Sequence, residues 1–294
     1  LKAYYRKAGI MLIENHITRL NNSGRVPYLE FLPLKNIPFI IHAFSTKLGG
    51  VSSGMFSSLN LASGSSPYQD DPEKIKENFI RIAESIGVEP ESMVFSDQVH
   101  KTNIRLVNFV DRGKGFINPR DYSEIDGLIT NTPGVTLVTR YADCVPIFFV
   151  DPVRKAIGLS HAGWKGTAGR IGPKTVYEMN KAFGSNPEDI VSVIGPSICA
   201  GCYEVGKDVA DRFKEINNIM VEDGNNPVLL NKGGGKYRLD LWEANRRLLL
   251  KAGLKHENIH ISGVCTACNH EILFSHRKTG GKRGSLAAFL AIKD

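Results

Sequence analysis

No stretch of this 294-residue chain is apolar for the roughly 18 residues that a helix needs to cross a bilayer. The longest apolar runs are residues 145–150, which hold a proline, and 286–292. A membrane-spanning helix is therefore excluded and no membrane partner is expected. The basic opening LKAYYRK is followed only by the short GIMLI. A secretory signal needs about 7–15 apolar residues and a small-residue cleavage site, and neither is present. A cytoplasmic protein is the expectation, with residues 1–10 an upstream extension if Met11 is the translation start. Cysteine is scarce and odd in number, at Cys144, Cys199, Cys202, Cys265 and Cys268, which argues against a disulfide framework. Basic runs are also missing. The 37 lysines and arginines outnumber the 30 acids to give a net charge of +7, yet they are scattered. That disfavours nucleic acid and suits a small anionic substrate such as phosphate or a nucleotide.

Several chemical signatures are missing too. There is no GxGxxG, no phosphate loop GxxxxGK[ST], no HxE paired with PCxxC, and no HxH. Gly50-Val51-Ser52-Ser53-Gly54 fits GxSxG, but a nucleophile elbow needs a strand before it and a helix after it. Here a glycine-rich turn precedes it and no helical periodicity follows, so it reads as a loop. What remains is ordinary globular composition, 42% hydrophobic and 23% charged. The chain is long enough to bury a core without staples. With no repeat and no Pro/Ser-rich linker, a single domain over residues 1–294 is expected.

The clearest helix follows the loop at 64–71. Asp71 can cap it, Pro72 suits its first position, Ile75, Phe79, Ile82 and Ile86 recur at helical spacing, and Gly87 ends it. Short runs rich in Val, Ile and Phe predict strands at 93–99, 103–110, 125–131, 135–140, 146–151 and 156–160. A glycine-rich turn at 163–172 should lead into a helix ending near Phe183. Further strands are predicted at 190–194, 259–264, 271–275 and 286–291, and helices at 207–216 and 240–252. Strands early and interleaved helices later point to mixed α/β sheet layers rather than a doubly wound parallel sheet.

Three constellations carry chemistry. The first is His100 in DQVH, Cys144 in ADCVP and His161 in HAGWKG, each at the end of a predicted strand. Two imidazoles and a thiolate suit zinc and leave a fourth position open, with Asp143 and Gln98 as candidate supporting partners. The gaps of 43 and 16 residues match no local metal motif, so unrelated core or surface residues are the competing reading. The same residues also suit a metal-free hydrolase with Cys144 as nucleophile and His161 as base. The second constellation is Cys199-x2-Cys202 with Cys265-x2-Cys268. Two such pairs suggest a four-thiolate zinc, but 62 residues separate them, against about 15–20 in the common spacing. Buried free thiols are the reading adopted here. The third is a set of basic glycine-rich turns around Lys47, Lys165 and Arg277, whose amides and cations can hold an oxyanion. Trp164 and Trp242 read as packing residues, Trp164 also as a wall for a flat base.

Taken in order, these segments resemble the YfiH-like family, also called the multicopper polyphenol oxidase or laccase-domain family. The matching pieces are FSTKLGGVSSGMFSSLNLA (44–62), DDPEKIKENFIRIAESIG (70–87), DQVH (97–100), ADCVPIFFVDP (142–152), HAGWKGTAGRI (161–171), GPSICAGCYEVG (195–206), DLWEANRRLL (240–249), CTACN (265–269) and LFSHRKTGG (273–281). The resemblance runs from about residue 40 to the end of the chain. It implies a layered α/β/β/α sandwich with mixed sheets. It also implies a purine nucleoside phosphorylase acting on adenosine, inosine, guanosine and methylthioadenosine, with adenosine deaminase activity. The implied partners are purine nucleosides and inorganic phosphate. The family's metal triad falls on His100, Cys144 and His161, with Zn2+ the usual ion and Cu2+ tied to the laccase label. In the phosphorylase reading Lys47, Lys165 and Arg277 hold phosphate. A polyphenol oxidase is the alternative, disfavoured by only eight histidines, and a scaffold without catalysis is a further one. Two departures stand out. Cys199 replaces the family's usual glycine, and SHRKTGGKRGS keeps Arg277 but lacks the acid that usually follows it.

Overall fold

The computed structural model describes residues 13–62, 68–215 and 227–293. The expectations on residues 1–10 and Met11, on residues 64–67 of the predicted loop, and on Ile216 lie outside these. In chain order the elements are β1 (Thr18–Asn21), β2 (Tyr28–Phe31), α1 (Leu32–Lys35), β3 (Ile40–Ser45), α2 (Pro72–Ile86), β4 (Met93–Phe95), β5 (Ile104–Leu106) and β6 (Gly127–Thr130). Then come β7 (Thr136–Tyr141), β8 (Val145–Asp151), β9 (Ala156–Ala162), α3 (Trp164–Ala168), α4 (Ile171–Phe183), β10 (Val191–Ile194), β11 (Glu204–Val205) and α5 (Lys207–Glu215). The last are β12 (Leu229–Gly233), β13 (Lys236–Leu239), α6 (Leu241–Lys251), β14 (Ile259–Ile261), α7 (His276–Thr279) and β15 (Leu286–Ile292).

Two six-stranded mixed sheets form the centre, ordered β1-β2-β3-β15-β7-β4 and β14-β10-β8-β9-β6-β5, beside a small antiparallel sheet β11-β13-β12. The pleat explains how near-continuous apolar strands serve two layers. Along β15, Leu286, Ala288 and Leu290 enter the core between the sheets, while Ala287 and Phe289 face the other way, against α2. Phe148 and Val150 of β8 share the inter-sheet core, and Ile147 and Phe149 join Val176 and Met179 of α4 and Leu248 of α6. The layering is α/β/β/α, as the resemblance implied.

Helix α2 starts and ends where its capping residues dictate. The Asp71 carboxylate accepts the Glu73 amide at 2.9 Å, and Gly87 takes a left-handed φ of 74°. Other expectations need correction. Residues 271–275 form no strand. Ile272, Leu273 and Phe274 are buried in the inter-sheet core from a turn, with the amides of Ile272 and Leu273 bonded back to the Asn269 carbonyl. Burial of an apolar run does not require sheet pairing. The predicted strand 93–99 stops at Phe95, 103–110 shortens to β5 followed by a tight 3-10 turn at Phe109–Asp111, and 259–264 shortens to β14. The glycine-rich turn at 163–172 contains α3. Strands β1 to β3 and β11 to β13 were not foreseen.

Candidate functional site

Antiparallel pairing of β8 with β9 matches Val145 to Ala162 and Pro146 to His161. Cys144, just before β8, and His161, near the end of β9, therefore meet at one end of a hairpin, which accounts for the 16-residue gap. His100 arrives from a turn in which Asp97 bridges to Ile125. The His100 Nε2 lies 3.8 Å from the Cys144 Sγ, and ligand atoms of His100, Cys144 and His161 all lie within 4.8 Å of one another. The two imidazole rings meet edge to face at 4.8 Å. Gly163 leaves room for this convergence: a Cβ there would sit 3.0 Å from both the Cys144 Sγ and the His100 Cδ2.

The residue that orients this group was missed from the sequence. Asp126 is fully buried just before β6. Its Oδ1 accepts from the His161 Nδ1 at 2.8 Å and the His100 amide at 3.0 Å, and its Oδ2 from the amides of Val99 and Lys101 at 3.1 and 2.8 Å. Binding Nδ1–H in this way fixes the tautomer that frees Nε2. The only signal for Asp126 was an acid at the edge of a predicted strand. The expected partners do other work. Gln98 spans the Arg140 amide and carbonyl at 2.7 and 2.8 Å. Asp143 accepts from the Thr266 hydroxyl and the Arg277 amide, each at 2.6 Å, and its carbonyl accepts the Ile198 amide at 3.0 Å. His100 and Asp143 have φ of 63° and 89°, a strained region for residues with a Cβ, and these bonds hold them there.

Burial alone would raise the Cys144 pKa, but the His161 charge and hydrogen bonds from both histidines outweigh it and bring the thiol down to about 6. Burial would lower His161, but the Cys144 charge and the Asp126 hydrogen bond raise it to about 9. With no ion between them, the Cys144 thiolate and the His161 imidazolium stabilise each other; a metal at Nε2 would take the place of that proton.

This trio borders a cavity of about 750 Å³ whose lining includes Tyr141, Trp164, Tyr203, Arg140, Arg277 and Arg283. The Arg277 guanidinium stacks over Tyr203 at 5.0 Å and donates to the Glu204 carbonyl at 2.7 Å. Of the three predicted anion-holding cations only Arg277 lines this cavity. Lys47 lines an adjoining cavity of about 340 Å³ that shares Arg283 with this one, and Lys165 lies over the Trp164 ring at 5.6 Å. Arg140 was missed because it lies in strand β7, and Arg283 because it lies two residues beyond the glycine-rich segment read as ending at Gly281. Burial lowers the Arg140 pKa to about 9 and lowers that of Arg283. Each has a buried Nε without a hydrogen-bond partner. Among the described residues neither forms an ion pair with a carboxylate. Trp242 is not in the lining; its Nε1 donates to the Ser197 Oγ at 2.6 Å. Ser52 of the GxSxG segment is buried and its Oγ accepts from Asn78 at 2.9 Å, so it faces no base.

The second cysteine group also comes together. The Sγ atoms of Cys199, Cys202, Cys265 and Cys268 lie within 4.8 Å of one another. A parallel bridge between Ser197 and Cys265 closes the 62-residue gap.

A profile of the multi-copper polyphenol oxidoreductase laccase family matches residues 41–293. Purine nucleoside phosphorylase YlmD of Bacillus subtilis strain 168 is 39% identical over 259 residues, covering 87% of this chain and 89% of the relative. Adenosine deaminase RL5, from an unknown prokaryotic organism, is 33% identical over 246 residues, covering 83% of this chain and 91% of the relative. The crystal structure of YlmD from Geobacillus stearothermophilus superposes with a TM-score of 0.85 at 34% identity, covering 95% of this chain and all of that one. With most of its length matched by the profile and by these relatives, the chain belongs to the multi-copper polyphenol oxidoreductase laccase family.

Proposed function

We propose that the chain is a cytoplasmic, single-domain purine nucleoside phosphorylase that holds one zinc ion between His100, Cys144 and His161. Its substrates are adenosine, inosine, guanosine and methylthioadenosine with inorganic phosphate, and it also deaminates adenosine. The observation that carries this reading is the convergence of two imidazoles and a thiol on a cavity lined by half-buried arginines. The names of the relatives YlmD and RL5 support the two activities.

The donor set fits zinc: Asp126 fixes the His161 tautomer, the Cys144 thiol is acidic, and Gly163 keeps the space free. It also accepts a single copper ion. A multi-copper cluster needs more imidazoles than the cavity provides, since among the described residues only His276 joins His100 and His161 in the lining. When bound, zinc supplies Lewis acidity at the cavity mouth.

In phosphorolysis a bond forms between a phosphate oxygen and the ribose anomeric carbon, the bond from that carbon to the purine nitrogen breaks, and the departing nitrogen gains a proton. Arg140 and Arg283, half-buried and without carboxylate partners among the described residues, neutralise phosphate through charge-assisted hydrogen bonds, with Arg277 at the rim. Trp164 and Tyr203 offer flat faces for the purine.

The test is phosphate-dependent release of adenine from adenosine, with metal content measured on the same sample. Cys144→Ala should abolish turnover together with the metal held by His100, Cys144 and His161. Normal phosphorolysis in this variant would overturn the reading. A metal-free cysteine hydrolase is favoured by one specific feature, the Cys144–His161–Asp126 chain with its acidic thiol. Alkylation of Cys144 by iodoacetamide that zinc does not slow would support it instead.

A further inference from the structure

We propose that Cys199, Cys202, Cys265 and Cys268 form a second metal site, a tetrahedral tetrathiolate that holds one zinc ion and locks two loops together behind the cavity wall. This site shares no residue with the His100, Cys144 and His161 group, and the proposal stands whether or not that group binds metal.

The geometry is that of a closed structural site. With Zn–S bonds of about 2.3 Å, sulfurs at the corners of a tetrahedron lie about 3.8 Å apart. The Sγ atoms of Cys202 and Cys268 are 3.5 Å apart, and no pair among the four exceeds 4.8 Å. All four are free thiols. The donors are sulfur alone, and soft thiolates select zinc over hard cations. The backbone is arranged for thiolates as well. The Cys199 and Cys268 amides donate to the Cys265 Sγ at 3.3 and 3.4 Å, which favours the ionised sulfur. The Cys202 amide closes the first pair onto the Cys199 carbonyl at 3.0 Å. Four thiolates this close repel one another unless a cation lies among them. Ile198, Ala267, Tyr203 and Trp242 pack around the group. There is no open coordination position to fill, as a structural site requires.

What the ion would secure follows from the neighbouring bonds. Ile198, beside Cys199, donates its amide to the Asp143 carbonyl at 3.0 Å. Thr266, beside Cys265, donates its hydroxyl to the Asp143 carboxylate at 2.6 Å. Tyr203, beside Cys202, lines the cavity. One ion shared by both cysteine pairs therefore holds the two loops that grip Asp143, whose next residue is Cys144.

The test uses the full chain. The Cys144→Ala variant loses a donor of the other group, so zinc measured in it by elemental analysis reports on the four cysteines. We expect one zinc per chain in Cys144→Ala, and less than a tenth of that once Cys268→Ser is added. Cobalt added to metal-stripped Cys144→Ala protein should give the intense visible bands and sulfur-to-cobalt charge transfer of a tetrathiolate, and Cys268→Ser should remove them. If the double variant fails to fold, the unaltered chain still decides the matter: a chelator should raise the number of thiols that react with a thiol-specific dye by four beyond Cys144. Cys144→Ala protein that takes up neither zinc nor cobalt, the four sulfurs recovered as disulfides, or iron found in place of zinc would each overturn the proposal.

Discussion

Asp126 receives four donors on two oxygens, so the cavity mouth depends on this one side chain. Burial works against its charge, but the hydrogen bond from His161 and the backbone amides lower its pKa below the ordinary aspartate value. Asp126→Asn keeps the shape but replaces an acceptor with an NH2 group that faces donors. Loss of such a support behind a metal-bound imidazole costs about 10–100-fold in metal affinity. Leaving a buried donor unmet costs about 1–3 kcal/mol of stability. The variant should therefore compete poorly with a chromophoric chelator for zinc and unfold at lower urea. Unchanged zinc affinity would mean that Asp126 only anchors the 99–101 turn. Asp126 acts through His161 and is a positioning residue. An acid at the edge of a predicted strand was too weak a mark, because its partners come from two segments joined only when β6 pairs with β9.

At the scale of elements, legibility followed how local the determinants are. Helix α2 was readable because its cap, its apolar spacing and its stop all lie within one short segment. Asp71→Ala removes that cap and should lower the unfolding free energy by about 1 kcal/mol, read from urea denaturation. Phosphorolysis should stay unchanged, since α2 packs on the outer face of the first sheet through Phe79, Ile82 and Ala83. The hairpin of β8 and β9 was also legible, and it carries Cys144 and His161. Strands β1 to β3 were not, because they are short and β3 pairs with β15, from the far end of the chain. Residues 271–275 misled because apolar content reports burial, whereas strand formation needs a partner for the backbone. The cysteine pairs misled in the opposite way. Their separation looked too long for one site until Ser197 paired with Cys265.

For the molecule as a whole, the excess of seven positive charges is uninformative until it is located. Most of the exposed cations are solvated or paired with acids, and such surface pairs contribute little. Arg140 and Arg283 differ in lining the cavity beside His100, Cys144 and His161, half-buried, each with an unmet Nε and, among the described residues, no carboxylate partner. Even a partly buried cation without a counter-charge costs stability, so these two make sense as a site completed by an anion. Replacing Arg283 with methionine keeps an unbranched apolar stem and removes the charge. The expected result is a KM for phosphate raised at least tenfold, with the KM for nucleoside changed far less. The unfolding free energy without phosphate should hold steady or rise, because a costly burial has been relieved. Phosphate should also protect the unaltered chain against thermal unfolding, by about 2.7 kcal/mol at a hundred times its dissociation constant, and protect the variant much less. Should Arg283→Met lose stability while its phosphate dependence stays intact, the arginine would belong to the framework of the cavity and the anion would dock elsewhere.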